Sequence, residues 1–158
     1  MIRIIACGRV KDKWLKEGID SYIRRIRPYD RIEVIETADE KAPESNSAAE
    51  NEQVKKREGQ RLLAAIKETD HVILLDLAGK TMDSMRLAGH IDACRTQGKP
   101  VIDFVIGGSL GVSEELIRRA DVRWKLSDNT FPHQLCRLIV AEQIYRSFRI
   151  LHNEPYHK

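Results

Sequence analysis

Two strongly apolar segments with a helical segment between them constrain the fold of this chain most. His71–Leu77 (HVILLDL) and Val101–Ile106 (VIDFVI) are almost continuously hydrophobic, which is typical of strands buried on both faces of a sheet. Ser84–Thr96 lies between them and has the pattern of a helix, with Gly98 at its end. A buried strand, a helix and a second buried strand form a βαβ unit, so the sequence predicts a parallel sheet.

The same alternation of strands and helices continues on both sides of this unit. Further strands are predicted at Met1–Cys7, Arg31–Glu36 and Val122–Leu126, and a turn at Ala78-Gly79. Further helices are predicted from Asp12 to about Arg25, from Ser47 to near Lys67, after Ser113, and from Pro132 to about Ile150. With 158 residues and neither repeats nor a linker, we expect a single α/β domain over residues 1–158, with a largely parallel sheet and helices on both faces.

The helical segments also predict which side chains face inward. In the first helix the inward positions are Trp14, Ile19, Tyr22, Ile23 and Ile26. Ser47 and Glu50 have the spacing of a capping box. The last helix is apolar around much of its circumference, so it needs two partners, such as its own sheet and another subunit.

Composition excludes several classes of protein. No apolar run approaches the ~20 residues of a membrane-spanning helix, and the N-terminus has no signal-peptide pattern. Three cysteines without close pairs argue against a disulfide framework. We therefore expect the protein in the cytoplasm.

Charge is distributed unevenly along the sequence: residues 3–31 carry nine Lys/Arg against four Asp/Glu, whereas residues 32–54 carry one against seven. This asymmetry is compatible with a face that binds a polyanion and equally with a solvated helix face.

A zinc site is one alternative for the histidines and cysteines. His90 and Cys94 share a helix face at i, i+4, and His133 and Cys136 lie at i, i+3. These four side chains form a conceivable composite His2Cys2 site, but none of the pairs has zinc-finger spacing. Because cysteine is commonly a small buried hydrophobe, the sequence predicts no metal.

The loop Gly107-Gly108-Ser109-Leu110-Gly111 follows a predicted strand and precedes a helix. Glycines there let backbone amides approach a ligand closely, although a tight turn that binds nothing needs them too. Neither a P-loop lysine nor a G-x-G-x-x-G pattern is present. The loop also matches the nucleophile elbow of serine hydrolases, with Asp128 and His133 following in the order of a triad.

Two further segments carry chemistry. Ser127–Gln134 combines polar side chains, the amides of a helix start and the Phe131 ring, which together suit an adenosine or an anion. The terminal residues Tyr156, His157 and Lys158 offer a stacking ring, an imidazole and a cation, which suit an RNA base and its phosphate. Ligands of open α/β sheets bind outside the carboxyl ends of the strands, so the loops after Leu75, Ile106 and Leu126 predict the site.

Several short blocks, taken in order, resemble the ribosomal RNA large subunit methyltransferase H family of the SPOUT superfamily. The blocks are Gly8, Asp39-Glu40-Lys41-Ala42, Glu58-Gly59-Gln60-Arg61, Val105-Ile106-Gly107-Gly108-Ser109, Thr130-Phe131-Pro132-His133 and Pro155-Tyr156-His157-Lys158. The resemblance implies a C-terminal trefoil knot, a homodimer, and S-adenosylmethionine-dependent methylation. The expected target is N3 of a pseudouridine in the helix 69 stem-loop of 23S rRNA on assembled ribosomes.

By position, the resemblance implies which residues bind the cofactor: Leu75, Gly107, Leu126, Ser127, Asp128, Asn129, Thr130 and Phe131. It makes Ser109 part of the cofactor wall rather than a nucleophile. A serine hydrolase and a non-catalytic RNA-binding module are the alternatives.

The chemistry of the implied target suggests further roles, because N3 of the base keeps its imide proton at neutral pH. We hypothesise that His157 or His133 accepts this proton while Arg137 or Lys158 stabilises the developing negative charge. Tyr156 would stack on the extruded base, so that Tyr156, His157 and Lys158 bind substrate. Basic residues near the N-terminus would contact rRNA phosphates. They are Lys11, Lys13, Arg24 and Arg25.

Overall fold

Five parallel strands form the centre of the molecule in a computed structural model that describes residues 1–41, 43–45, 47–99 and 101–158. The strands are β1 (Ile2–Cys7), β2 (Ile32–Thr37), β3 (His71–Thr81), β4 (Ile102–Ile106) and β5 (Val122–Lys125). The helices are α1 (Lys13–Ile26), α2 (Ala48–Ala64), α3 (Ser84–Thr96), α4 (Glu114–Arg119) and α5 (His133–Leu151). The strand order is β2-β1-β4-β3-β5, and each neighbouring pair is parallel. The predicted α/β fold is confirmed.

Alternate side chains of the central strands enter two separate cores. Ile4 and Phe104 point to the face covered by α1, α3 and α5. Ile5 and Val105 point to the face covered by α2 and α4. Because both faces are covered, the central strands carry the near-continuous apolar runs of the sequence.

Two predicted details of the helices have different outcomes. The Ser47 hydroxyl accepts a hydrogen bond from the backbone N–H of Glu50 at 3.3 Å, as a helix N-cap does. The prediction that Trp14 faces inward is wrong, since this side chain is 62% exposed. Leu15 is buried instead, together with Ile19. Trp14 precedes this buried stripe by one residue, which turns it about 100° away from the core on a helix with 3.6 residues per turn.

The third strand is longer than predicted. Its pairing with β5 shifts register between Leu75 and Lys80, both of which lie opposite Trp124. The predicted turn at Ala78-Gly79 is therefore a bulge within a strand that continues to Thr81. The extra residues between Leu75 and Lys80 displace β3 locally at the carboxyl edge of the sheet, where ligands of such sheets bind.

Within the chain, the last helix packs against the sheet and two other helices. α5 packs against α1 and α3 on one face of the sheet, with Val140, Ile144 and Phe148 fully buried. The homodimer and the trefoil knot stay predictions. No helix among the described residues is long and apolar enough to cross a membrane. Ala42, which completes one of the family blocks, lies outside the described residues.

Candidate active site

A cavity of about 610 Å³ lies at the carboxyl edge of the sheet. Its walls come from the ends of β3, β4 and β5 and from the first turn of α5. The main lining residues are Leu75, Ile106, Gly107, Trp124, Leu126, Phe131, His133 and Cys136. This volume lies within the roughly 300–1,000 Å³ of small-molecule sites. The cavity brings together the three strand-end loops that the sequence singles out.

The glycine loop forms one wall of the cavity, and two of its positions have no space for a side chain. A Cβ on Gly107 would lie 2.8 Å from Cγ1 of Val112 and 2.9 Å from the carbonyl oxygen of Gly111. A Cβ on Gly108 would collide with the carboxylate of Glu58. Glycine at these two positions therefore lets the loop backbone pack closely against Val112 and Glu58.

Glu58 supports this loop from behind. Its carboxylate is buried, and Oε1 accepts the backbone N–H of Glu40 at 3.0 Å. Oε2 has no hydrogen-bond partner among the described residues. Burial and the nearby Glu58 raise the pKa of the Cys7 thiol to about 12, so Cys7 is neutral.

The segment between β5 and α5 forms the opposite wall. The backbone N–H of Asn129 donates to the Ser127 hydroxyl at 3.0 Å, which closes a local turn. Of the eight residues expected to bind the cofactor, seven line the cavity and Asp128 does not. The Asp128 side chain is 92% exposed and forms an ion pair with Lys125, which lowers the pKa of its carboxyl group.

His133 begins α5 and lines the cavity. Burial is the main cause that lowers the pKa of its imidazole, and the nearby Arg137 adds to the effect. Glu58 and Asp39 act in the opposite direction. The imidazole is therefore neutral near pH 7 and has a lone pair with which to accept a proton.

Arg137 lies one turn further along α5 and is 1% exposed. Its guanidinium donates to the carbonyl oxygens of Cys7 at 2.5 Å and Gly8 at 2.8 Å, and to Oε1 of Glu36 at 2.8 Å. It does not line the cavity. These contacts tie α5 to the ends of β1 and β2, so Arg137 positions the first turn of α5, where His133 lies.

The C-terminal residues fold back onto α5 of the same chain. The Tyr156 hydroxyl donates to Oε1 of Glu142 at 3.1 Å, and the Arg146 guanidinium lies over the Tyr156 ring, 4.6 Å from its centroid. Nδ1 of His157 lies 3.3 Å from Nη1 of Arg146. His157 lines a second cavity, which shares Trp124 and Leu126 with the first. Lys158 is exposed.

The residues of the alternative hydrolase triad do not assemble. Ser109 is exposed, and the Asp128 carboxylate binds Lys125 rather than His133. In the part of the chain that the structure describes, no hydrogen bond joins Ser109, Asp128 and His133. A relay of protons from the serine therefore has no path, and the glycine elbow serves as a cavity wall.

Sequence reasoning missed Trp124 and Cys136 as cavity residues and Glu58 as support for the glycine loop. Trp124 lies in a short strand with half-buried neighbours, and this pattern does not indicate a pocket. Cys136 follows His133 by three residues, which places both on one face of α5. This spacing could have indicated that Cys136 lies beside His133 in the cavity. Glu58 lies in one of the blocks that resemble the family, but its contact with the glycine loop could not be predicted, since Gly108 is 50 residues away along the chain.

The parallel sheet and the cavity at its carboxyl edge define an α/β fold with a site of small-molecule size. A family model described as "Predicted SPOUT methyltransferase" matches residues 1–157. The chain belongs to this family and is therefore a methyltransferase, a class that uses S-adenosylmethionine as methyl donor.

Relatives in two bacteria share about half of the sequence. "Ribosomal RNA large subunit methyltransferase H" of Desulfitobacterium hafniense is 51% identical over 157 residues, covering 99% of this chain and 98% of the relative. The protein of the same name in Acetivibrio thermocellus is 49% identical over 157 residues, covering 99% of both chains.

A solved structure shows a similar fold. The probable methylase family protein from Haemophilus influenzae Rd KW20 superposes with a TM-score of 0.56 at 12% identity, covering 96% of this chain and 66% of that chain. At this identity the likeness concerns the fold alone.

The cavity fits S-adenosylmethionine. Its leucine, isoleucine and phenylalanine walls suit a flat base and an aliphatic chain, and the wall free of side chains at Gly107 and Gly108 leaves backbone groups for polar atoms.

Proposed function

We propose that this protein methylates N3 of a pseudouridine in the helix 69 stem-loop of 23S rRNA, that it acts on assembled ribosomes, and that it works as a cytoplasmic homodimer. The observation that carries the proposal is the identity of 49–51% to methyltransferase H relatives over 99% of the chain. The resemblance of the sequence blocks to that family supports the nucleotide, the ribosome and the dimer.

The cavity supports a division of labour between binding and chemistry. Leu75, Gly107 and Leu126, with residues 127–131, hold the cofactor at the carboxyl edge. For Asp128, whose side chain faces solvent, the contact is made by its backbone. S-adenosylmethionine supplies a methyl group on a sulfonium sulfur and leaves as the neutral thioether. The second cavity lies beside the first, and Trp124 and Leu126 line both. A base held in the second cavity by His157 and its neighbours would therefore lie next to the cofactor.

The remaining requirement is removal of the N3 proton. The bond between N3 and the methyl carbon forms as the carbon–sulfur bond breaks, and the N3 proton passes to the imidazole of His133 or His157. His133 is favoured because it lines the cavity and is neutral at pH 7. Lys158 stabilises the negative charge that develops on the base. The guanidinium of Arg137 is engaged by backbone carbonyls and Glu36, which favours Lys158 over Arg137 for this role.

Substrate binding by Tyr156 requires a local change. The face of its ring is covered by Arg146, and its hydroxyl is held by Glu142. Stacking on an extruded base therefore means that the base replaces Arg146 over the ring. Such an exchange keeps a planar π-system against the tyrosine, so base stacking compensates for the cation–π interaction that Arg146 gives up.

The test is transfer of a labelled methyl group from S-adenosylmethionine to ribosomes from a strain that lacks the modification. Naked 23S rRNA and separated subunits serve as parallel substrates, and the methylated nucleotide is then mapped. A matched control is ribosomes that carry uridine where helix 69 has pseudouridine. We expect label on whole ribosomes, at N3 of the pseudouridine, and little on naked rRNA. Equal labelling of naked rRNA, or label at another nucleotide, would contradict the proposal.

A further inference from the structure

Three side chains with metal-ligating atoms meet at the edge of the sheet opposite the cavity. His71 is the first residue of β3, and His90 and Cys94 lie one turn apart on α3. Nε2 of His71 is 2.9 Å from Nε2 of His90, and Sγ of Cys94 is 3.7 Å from the same His90 nitrogen. All three ligand atoms lie within 4.8 Å of one another. The composite site with His133 and Cys136 does not form, since those two residues line the cavity at the other edge.

We propose that His71, His90 and Cys94 bind one zinc ion per chain. With Zn–N of about 2.0–2.1 Å and Zn–S of about 2.3 Å, tetrahedral geometry puts two nitrogen donors about 3.3–3.4 Å apart and a nitrogen and a sulfur about 3.6 Å apart. The distance of 3.7 Å between Sγ of Cys94 and Nε2 of His90 is close to this value. The two histidine nitrogens must separate by about 0.4 Å, which small rotations of the rings provide.

The surroundings of His71 resemble those of a metal-bound histidine. Oδ2 of Asp121 lies 3.7 Å from Nδ1 of His71, on the side of the ring away from the cluster. The backbone N–H of Val72 donates to the same carboxylate oxygen at 2.8 Å and fixes its position. A carboxylate that accepts the second ring N–H of a ligating histidine orients the ring and strengthens it as a ligand, and Asp121 must approach His71 by several tenths of an ångström to do so. Arg119 also contacts Asp121, at 3.4 Å, without displacing it from His71.

Donor type and burial select the ion. Two imidazoles and one thiolate suit zinc, whereas magnesium and calcium prefer oxygen ligands. Cys94 is 4% exposed and the His71 side chain 12% exposed, so the site is largely shielded while an ion can still enter past His90. Three protein ligands leave the fourth position to water. The thiolate and Asp121 offset the two charges of the ion.

The site would link the start of β3 to the middle of α3. It is separate from the cofactor cavity, so its expected effect is on stability and not on methyl transfer. An ion that binds only the folded state stabilises that state in proportion to its occupancy.

The test uses the full chain after treatment with a chelator. Co²⁺ is titrated first, because a thiolate–cobalt bond gives a charge-transfer band in the near ultraviolet, and Zn²⁺ is then added in competition. We expect one ion per chain, the thiolate band, and a rise in melting temperature with Zn²⁺. Asp121→Asn, which keeps an acceptor for Val72, should weaken binding by about 10–100-fold, as loss of an outer-shell carboxylate does elsewhere.

Ligand variants and matched controls decide the assignment. Cys94→Ser should lose the thiolate band, and His90→Gln, at a partly buried position of α3, should weaken binding more than Asp121→Asn does. Cys136→Ser and His152→Ala, which change the same residue types outside the cluster, should bind as the wild type does. Absence of binding, a cobalt spectrum without the thiolate band, or an equal loss with Cys136→Ser would overturn the proposal and leave a cluster that only packs.

Discussion

At the scale of single residues, the protonation state of His133 gives the clearest prediction. Burial and Arg137 lower the pKa of its imidazole below the ordinary value of 6.5. If His133 is the base, activity is lost only as pH falls through this lowered pKa, because a protonated imidazole cannot accept the N3 proton. The acid limb of the kcat/KM–pH profile, which reports the free enzyme, should therefore lie below pH 6.5, and His133→Asn should remove it and reduce kcat by about 10²–10⁴-fold.

The matched variant for this experiment is His157→Ala, for which kcat/KM is measured over the same pH range and turnover at saturating ribosomes and cofactor. It should keep the acid limb. If instead His157→Ala removes the limb and His133→Asn keeps it, the base is His157. Near-wild-type turnover in both variants would contradict a histidine base altogether.

Buried charge shows what a single residue's sequence context does and does not reveal. Asp103 stands in the middle of an apolar strand and is fully buried. Arg3 donates to both of its carboxylate oxygens, at 2.7 and 2.8 Å, and also contacts Asp70. Burial raises the pKa of the Asp103 carboxyl, and Arg3 opposes that shift. The apolar run predicts the strand, but the partner lies 100 residues away and follows only from the order of the strands.

At the scale of elements, the loop after β4 gives a prediction about packing. Gly108→Ala places a Cβ against Oε2 of Glu58, a buried carboxylate whose other oxygen accepts the N–H of Glu40. We expect the loop to take up part of the shift that this overlap requires, so binding of S-adenosylmethionine should weaken by roughly tenfold, since overpacking costs on the order of 1–3 kcal/mol. Isothermal titration calorimetry measures the change.

A second substitution separates this steric cause from loss of glycine flexibility. Adding Glu58→Ala to Gly108→Ala opens space and should restore part of the affinity. Gly89→Ala, at an exposed position of α3 with nothing within 4 Å of the new methyl group, should leave binding unchanged. Failure of the double variant to recover would mean that the loop needs glycine for another reason.

Element boundaries show why most of the fold could be predicted from the sequence. α3 is predicted at Ser84–Thr96 and observed there, because Asp83 caps its start and Gly98, with φ of +73°, follows its end. The prediction for β3 is too short, because Ala78-Gly79 has the composition of a turn whether the chain leaves the sheet or forms a bulge and rejoins it. Only the pairing with β5 distinguishes the two, and that pairing is a tertiary contact. The cavity follows from the strand ends, whereas the support of its wall by Glu58 does not.

At the scale of the whole molecule, the two edges of the sheet have different chemistry. The carboxyl edge carries the cavity that we propose for the cofactor, and the opposite edge carries the His71–His90–Cys94 cluster. The faces differ as well, since the basic N-terminal segment includes α1 on one face and the acidic stretch leads into α2 on the other. A ligand as large and as charged as a ribosome would therefore meet the molecule with one orientation favoured.

This orientation makes the salt dependence of ribosome binding the decisive measurement for the basic face. Lys11 and Arg24 are both exposed, the first just before α1 and the second near its end. If each neutralises one rRNA phosphate, Lys11→Glu combined with Arg24→Glu should weaken binding and reduce the slope of log K against log salt by about 2. Lys56→Glu, an exposed lysine of α2 on the other face, should change neither quantity by as much. The slope of log K against log salt reports the number of counterions released when the protein contacts phosphates, whatever the affinity. An unchanged slope in the double variant would therefore mean that Lys11 and Arg24 are only solvated and contact no phosphate.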